Sequence, residues 1–211
     1  MRRRNFILAF LALVIIVGAF TTHGYITSFQ RLTIKVPSGI NAKVFRATDD
    51  QGNYDPKSLP LASVSSTANL KIKKGTYVVT AQASTDYKAV SQTVELSIQP
   101  ETVSLNPSYT DQKLSSLLET QRVDINQAII KKYPALSSSY TIGTTKLYKT
   151  GEWCGVLLTP KNPNTIDVRR LVLNNKSGAW VIVTNPPSVV VSAPVYPNIP
   201  KDVLSDINNF L

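Results

Sequence analysis

Two carboxylates in the carboxyl-terminal half of the chain are the first candidates for bond chemistry. Glu152 and Asp167 are the acidic residues closest to a predicted sheet in that half. Two carboxyl groups on either side of a glycosidic bond can supply a general acid and a nucleophile or base. Both residues fall beside predicted turns, where solvent-exposed acids are common. Glycan hydrolysis is therefore a remote alternative, and we expect no catalytic residue and no enzyme activity.

An acidic loop nearer the amino terminus offers oxygen atoms of the kind that bind calcium. Asp49, Asp50 and Asp55 occur there together with Asn53. A calcium loop of the EF-hand type needs a glycine and a closing glutamate at fixed positions, and that order is absent here. We therefore predict a solvated turn, with no metal site and no cofactor.

Histidine and thiol chemistry have few residues to use. His23 is the only histidine, and it lies at a predicted membrane boundary, so histidine-based dyads and metal sites are excluded from the rest of the chain. Cys154 is the only cysteine, which rules out an intramolecular disulfide. Because Cys154 lies in an apolar, strand-like segment, we predict that it is buried as a small hydrophobic residue.

The two tryptophans are the candidate binding residues. Trp153 and Trp180 could line a cleft, since an indole ring offers a large apolar area and one hydrogen-bond donor. Both also lie on predicted neighbouring hairpins, where they would pack in the core without contacting a ligand. The sequence leaves both interpretations open.

The amino terminus predicts where the chain resides. Arg2, Arg3 and Arg4 precede a long apolar segment. About 20 apolar residues cross the hydrocarbon core of a bilayer, and basic residues remain on the cytoplasmic side. We predict a cytoplasmic basic stub at residues 1–5 and a transmembrane signal anchor at residues 6–26. The rest of the chain would then lie outside the cytoplasm.

A cleaved signal peptide is the alternative interpretation of this segment. Val17, Gly18 and Ala19 provide a cleavage site of imperfect pattern, and Phe20 follows it directly. Either outcome exports the same carboxyl-terminal part, so the predicted location does not depend on cleavage.

The charge balance suggests which partners the exported part meets. The formal net charge is +10, with 23 basic and 13 acidic residues. A positive surface favours anionic envelope polymers or lipid headgroups. The basic residues are scattered without a dense tract, which together with the predicted location argues against nucleic acid.

Residues 31–109 show the pattern of short strands separated by turns. Leu32, Ile34 and Val36 alternate with polar residues, as on a half-buried strand. Similar segments follow, separated by Gly, Pro and Asn, up to Asn106-Pro107. Six or seven such strands predict a small antiparallel β-sandwich.

Within this region the chain resembles PEGA-type surface domains. The segment Pro37–Val44 (PSGINAKV) is similar to their P-x-G-A-x-V opening, although Ile40-Asn41 replaces Gly-Ala. Gly75–Val79 (GTYVV) with the later Tyr87 is similar to their G-x-Y-x-V…Y element. Related transthyretin-like and carboxypeptidase-regulatory-like sandwiches have much the same pattern. The resemblance implies an extracytoplasmic β-sandwich for adhesion, wall association or spacing, with no active site of its own.

Residues 110–211 begin with helical periodicity and continue with strands. Thr110 or Asp111 can cap a first helical run, and Asp124 can cap a second one that Pro134 ends, which predicts one broken helix or two. An apolar face after Pro200 predicts a final helix. The predicted strands between them are Tyr140–Lys149, Trp153–Thr159, Asp167–Leu173, Ala179–Thr184 and Val189–Ser192.

A helix followed by an antiparallel meander resembles cystatin-like and NTF2-like α+β domains. The matching motif is Gly178–Val183 (GAWVIV), one hairpin ending in G-x-W. The resemblance implies a sheet curled around a helix, with a conical pocket that is open in some relatives and filled in others. The fold alone therefore implies no ligand.

We thus predict a mainly β protein with an α+β part: a transmembrane helix, an antiparallel β-sandwich, and a domain in which a helix packs on an antiparallel sheet. The expected function is that of a non-enzymatic, membrane-anchored module of the bacterial cell envelope. Its expected partners are the membrane, crossed once, and a cell-wall polymer or an envelope protein. The alternative is a small-ligand or lipid-binding pocket of the NTF2-like kind.

Overall fold

The computed structural model describes residues 28–49, 51–162, 164 and 167–210. The predicted basic stub and transmembrane anchor lie outside these residues. None of the helices in the described ranges has both the length and the apolar character needed to cross a bilayer. The described chain divides into two compact units.

The first unit comprises the described residues up to Gln82, together with Ala89–Asn106. It contains seven strands in two sandwich-like sheets, of order β4-β1-β7 and β3-β2-β5-β6. The strands are β1 (Phe29–Lys35), β2 (Ala42–Arg46), β3 (Ala62–Val64), β4 (Ala68–Lys73), β5 (Gly75–Ala81), β6 (Val90–Leu96) and β7 (Glu101–Ser104).

The core of this unit follows the alternation of apolar residues. Leu32 and Ile34 of β1 are fully buried, as the period-2 pattern predicts. Strand β5 is buried over most of its length because it pairs on both sides, with β2 and with β6. Both sheets of this unit therefore contribute buried apolar side chains.

The prediction of an entirely antiparallel sandwich is wrong at one strand pair. Strand β7 pairs with β1 in parallel, with Leu32 opposite Glu101 and Ile34 opposite Val103. The reason is that residues 97–100 carry the chain from the four-stranded sheet to the other sheet. There β7 lies beside β1 and runs in the same direction.

The second unit comprises Ala83–Lys88 and the described residues from Pro107 onward. The short first segment joins this unit through a β-bridge between Tyr87 and Tyr109 and a hydrogen bond from Lys88 N to Ser108 O of 2.8 Å. Its elements are α1 (Asp111–Lys132), α2 (Leu136–Ser139), β8 (Tyr140–Tyr148), β9 (Trp153–Pro160), β10 (Arg169–Lys176), β11 (Ala179–Ile182) and α3 (Lys201–Asn208).

Helix α1 is continuous over 22 residues, so the prediction of a broken helix or two helices is wrong. Thr110 is its N-cap and accepts a hydrogen bond from Lys113 N. Asp124 lies inside the helix and is not an N-cap. The apolar residues before and after it lie on the same face of one helix, so the helix continues through it. The residues of that face, buried on the sheet, are Leu114, Leu118, Ile125 and Ile129.

The sheet has the order β11-β10-β9-β8, is antiparallel throughout, and is covered on both faces. One face packs against α1 through residues such as Cys154, Val156 and Leu171. The other packs against α3, where Val203 and Ile207 are fully buried. The predicted amphipathic final helix is confirmed, and it makes the unit a three-layer structure.

The predicted strand Val189–Ser192 is wrong. Only Ser188 forms an isolated β-bridge, with Arg170. The backbone of Val191 cannot join a ladder because the Asn208 side chain occupies it. Asn208 accepts a hydrogen bond from Val191 N at 3.0 Å and donates one to Val191 O at 2.8 Å.

A buried arginine holds the final helix in place. Arg170 is 9% exposed, and its guanidinium donates to the carbonyl oxygens of Ile207 (2.9 Å), Asn208 (3.2 Å) and Phe210 (3.1 Å), and to that of Val189. The carbonyls of Ile207, Asn208 and Phe210 lie at the negative end of the α3 dipole, which favours a cation. One side chain of β10 thus fixes the helix that covers the sheet.

We expect Arg170→Met to lower the free energy of unfolding by about 2–4 kcal/mol, because buried carbonyls lose their donors. Arg170→Lys should recover only part of the loss, since an ammonium cannot reproduce the planar fork. Urea denaturation measures both, with Arg169→Met as the matched control, for which a loss below about 0.5 kcal/mol is expected. An equal loss in Arg169→Met would contradict this role for Arg170.

Burial makes Cys154 chemically inert in the folded protein. Cys154 is fully buried, as predicted, and burial raises the pKa of its thiol. We expect no reaction with an aromatic disulfide reagent in native buffer and stoichiometric reaction in urea, because only the thiolate attacks. As a control, a variant with Cys154→Ala and Ser138→Cys places the thiol at an exposed position and should react at once in native buffer. Rapid labelling of Cys154 in the folded wild type would refute the prediction.

Candidate functional site

The predicted binding tryptophans do not meet in one cleft. Trp153 pairs with Asn174 and Trp180 with Asn175 across the sheet, and successive residues of a strand point to opposite faces. Trp180 packs in the core beneath α1, whereas Trp153 packs against the α3 side. Each indole therefore contributes to a different core. Arg2, Arg3 and Arg4, predicted to orient the chain in the membrane, lie outside the described residues.

Trp180 also borders an open groove between α1 and the edge strand β11. The groove has a volume of about 360 Å³, with an apolar floor and two lysines on one side. Trp180 itself is only 9% exposed, so the face of its indole ring is not accessible to a ligand in the groove. The residues lining the groove are Ala128, Lys131, Lys132, Trp180, Val181 and Ile182.

Glu152 and Asp167 cannot act together on one bond. The paired part of β9 and β10 runs from Trp153, opposite Asn174, to Leu158, opposite Arg169. Glu152 lies just before the first of these ends, and Asp167 lies just before the second. Five residue steps along a strand separate these ends by about 17 Å. Paired glycosidase carboxyls lie about 5–10 Å apart. The geometry therefore removes the residues on which the hydrolase alternative depended.

Donors within its own loop hydrogen-bond to the carboxylate of Asp49. It accepts hydrogen bonds from Gln51 N (3.0 Å), Asn53 N (3.0 Å) and Asn53 Nδ2 (2.7 Å), and the side-chain bond from Asn53 is the main cause of a lowered pKa. Asp50 lies outside the described residues. In the described ranges, no three metal-ligating side chains are grouped closely enough to hold a metal ion.

An apolar opening lies where α1 ends. This apolar cleft has a volume of about 280 Å³ and is walled by the last turns of α1, by α2 and by the start of β8. Aliphatic and tyrosine side chains form most of its surface, and Lys161 contributes the only formal charge among its lining residues. They are Ile129, Ile130, Tyr133, Leu136, Ser137, Tyr140, Thr141, Ile142, Leu158 and Lys161.

Local sequence signals explain why a cleft forms here. Pro134 prevents α1 from continuing, so the chain turns away from the sheet after Lys132. A β-bulge between Ile142 and Thr145 bends β8 at the same level. Gly143 permits that bend, because a Cβ there would lie 2.8 Å from the Thr159 hydroxyl oxygen. Helix and strand diverge and leave the opening.

The polar side chains around the apolar cleft already form hydrogen bonds within the protein. Tyr133 donates its hydroxyl to Asn185 Oδ1 at 2.8 Å, and Tyr140 donates to Asp167 O at 3.1 Å. Lys161 Nζ donates to Ser137 O at 2.6 Å, which holds its ammonium at the rim. The cleft therefore offers an apolar interior and one positive charge, and a single ammonium still has further donors.

A second, polar cleft opens at the other end of α1, with a volume of about 410 Å³. Three lysine–aspartate ion pairs surround it. They join Lys88 to Asp111 at 2.8 Å, Lys146 to Asp206 at 2.7 Å, and Lys149 to Asp202.

Neither cleft was predicted from the sequence. The signals that could have indicated them are the proline after α1, for the apolar cleft, and Asp202 and Asp206 four residues apart on the final helix, for the polar cleft. Their lysine partners, Lys146 of β8 and Lys149 directly after it, are distant in sequence, so only the folded chain brings them to these aspartates.

The aspartates of the polar cleft predict how stability depends on pH. The pKa of each is lowered. Hydrogen bonding from the lysine partner is the main cause at Asp111 and Asp206. At Asp202 burial has the largest single effect and raises the pKa, but the Lys149 ammonium and the backbone N–H groups of Asp202 and Val203 together outweigh it. Carboxyls with a lowered pKa stabilise the folded state at neutral pH and lose that contribution as pH falls below about 4.

We expect the melting temperature of the wild type to fall more steeply below about pH 4 than that of an Asp111→Asn, Asp202→Asn, Asp206→Asn variant. At pH 7 the variant should be less stable, by no more than about 1 kcal/mol for each exposed pair. Calorimetry across this range measures both, and parallel pH profiles would contradict the assignment.

Comparisons with protein-family models, with curated proteins and with solved structures found no match to this chain. The resemblances to PEGA-type and to cystatin-like or NTF2-like domains therefore stay predictions from the sequence.

Proposed function

We propose that this chain is a non-enzymatic, membrane-anchored binding module of the bacterial cell envelope. The basic residues and apolar segment at its amino terminus support the anchor and the extracytoplasmic location. The PEGA-like pattern supports a role for the first unit as a stalk or wall-contact domain. In this proposal the second unit is the recognition domain.

The apolar cleft is the observation that carries the recognition role. Ligand sites are concave, mostly apolar and few in a protein, with a small number of polar groups that fix orientation. This cleft has an apolar interior, aromatic walls from Tyr133 and Tyr140, and Lys161 at its rim. It therefore fits a small apolar group that ends in a negative charge.

The size of the cleft limits the ligand. Its volume of about 280 Å³ lies at the lower end of ligand sites, which span about 300–1,000 Å³. A short acyl chain or one aromatic ring fits such a space, whereas a two-chain lipid does not. The proposal thus adopts the small-ligand alternative for the second unit and keeps the scaffold role for the whole protein.

Binding of octanoate by the full chain in lipid nanodiscs tests this function. Ser137 lines the cleft and Ser138 does not, although both are exposed, so Ser137→Phe and Ser138→Phe form a matched pair. We expect Ser137→Phe to weaken saturable binding by at least about tenfold and Ser138→Phe to leave it unchanged. Ligand-observed NMR measures the affinity against empty nanodiscs.

Lys161→Met provides the second arm of this test. It should weaken octanoate binding but leave the binding of octanol unchanged, because only the carboxylate meets the ammonium. Absence of saturable octanoate binding, or equal binding by both serine variants, would refute the apolar cleft as the recognition site.

A further inference from the structure

The outer face of the three-stranded sheet in the first unit carries basic side chains from two neighbouring strands. Leu32 and Ile34 of β1 are buried, so the alternate residues Arg31 and Lys35 face outward. Lys71 lies opposite Arg31 in the β1–β4 register, and the exposed residues of β4 alternate in the same way. We call this surface the basic face; its four cations, all exposed, are Arg31, Lys35, Lys71 and Lys73.

No acidic residue shares the basic face in these three strands, all of which lie within the described residues. The one acid among them, Glu101, pairs with Leu32 and therefore belongs to the other side of the sheet. The residues that β7 contributes to the basic face are Thr102 and Ser104, which are uncharged. None of the four cations forms an ion pair with another described residue. Contacts within the described chain therefore leave this positive charge uncompensated.

Folding alone does not account for this arrangement. Residues directly opposite each other on a sheet have Cβ atoms about 5 Å apart, and like charges in that position destabilise the pair. Lysines on an edge strand can prevent aggregation, which would explain Lys71 and Lys73 on β4. Arg31 and Lys35 lie on β1, the central strand, which has no open edge to protect. A negatively charged partner would explain all four residues.

The position of β1 in the chain indicates which negatively charged partner is within reach. The predicted anchor ends at residue 26, and Arg31 lies five residues beyond it. Even a fully extended chain of that length spans only about 17 Å, so the anchor would hold Arg31 close to the bilayer surface. An anchored domain is already concentrated at the membrane, so a modest attraction to anionic headgroups suffices.

We propose that the basic face lies on the anionic headgroups of the bilayer that holds the anchor. Basic residues are attracted to such a surface within a Debye length, about 8 Å at physiological salt. A sheet lying flat brings all four cations into that range, whereas an upright sheet would leave Lys35, nine residues beyond the anchor, outside it. This contact rests on the membrane anchor of the proposed function, and it gives the first unit a lipid contact in place of a wall contact.

Acetylation of individual lysines in the full chain tests this contact. The chain is placed in nanodiscs of phosphatidylcholine, or of an equal mixture with phosphatidylglycerol, and a neutral acetylating reagent is followed by mass spectrometry. We expect Lys35, Lys71 and Lys73 to react at least about threefold more slowly in the anionic discs, and this protection to disappear at high salt. Lys57, an exposed lysine between β2 and β3, is the internal control and should react equally in both.

Lys71→Glu separates a lipid contact from a structural role. The variant places an opposite charge across from Arg31, so the melting temperature in phosphatidylcholine discs should stay the same or rise. Protection of Lys35 and Lys73 in anionic discs should fall at least about twofold. Lys57→Glu changes the net charge equally and should leave that protection unchanged. A lower melting temperature with unchanged protection in Lys71→Glu would show that Lys71 serves folding alone, which would contradict the lipid contact.

Three further results would overturn the lipid contact. The first is equal acetylation of the basic face in both kinds of disc. The second is equal slowing at Lys57, which would show a general effect of the charged disc. The third is stronger protection by soluble long-chain polyphosphate than by phosphatidylglycerol, which would make the basic face a polymer site.

The anchor is tested separately in the same samples. An anchored chain stays with phosphatidylcholine discs at high salt, where the basic face contributes no attraction. Dissociation there would refute the anchor, whereas retention without lysine protection in anionic discs would refute only the lipid contact.

Discussion

The second unit depends on one buried guanidinium. Arg170 lies on β10, an inner strand of the sheet, and its hydrogen bonds to the end of α3 determine where that helix sits. Without α3, the face of the sheet that carries Val172 would be open to water. The arginine has no carboxylate partner among these contacts and is satisfied by backbone carbonyls. This arrangement suits a helix end, where several carbonyls converge and carry partial negative charge.

Covering both faces of the sheet has a consequence for function. The apolar residues of β9 and β10 are buried on both faces, under α1 on one side and under α3 on the other. Two openings of this unit lie at the ends of α1, where the helix and β8 diverge or where charged side chains replace apolar ones. The two clefts therefore differ in chemistry because they lie at opposite ends of one helix.

Local signals predicted much of the fold. Alternation at Leu32 and Ile34, capping by Thr110, the break at Pro134 and the apolar face of α3 all report on neighbours in the chain, and each was correctly interpreted. One local prediction is wrong, since Asp124 is not a helix cap but lies inside α1. The other errors concern pairing over long distances. The parallel β1–β7 pair and the capture of Val191 by Asn208 depend on which segments meet after folding. For the same reason, Trp153 and Trp180 looked alike in sequence but face opposite sides of the sheet.

The two clefts were hidden from sequence reasoning because their chemistry comes from pairs that only the fold assembles. Arg170 and Tyr148 show how this happens, since both are polar residues in the layer beneath α3. The guanidinium of Arg170 donates to carbonyl oxygens at the end of that helix, a contact that no local pattern in the sequence indicates. The hydroxyl of Tyr148 is buried beside the Asp206 carboxylate of the same helix. The surroundings of both residues are therefore set by how α3 packs on the sheet, which only the folded chain determines.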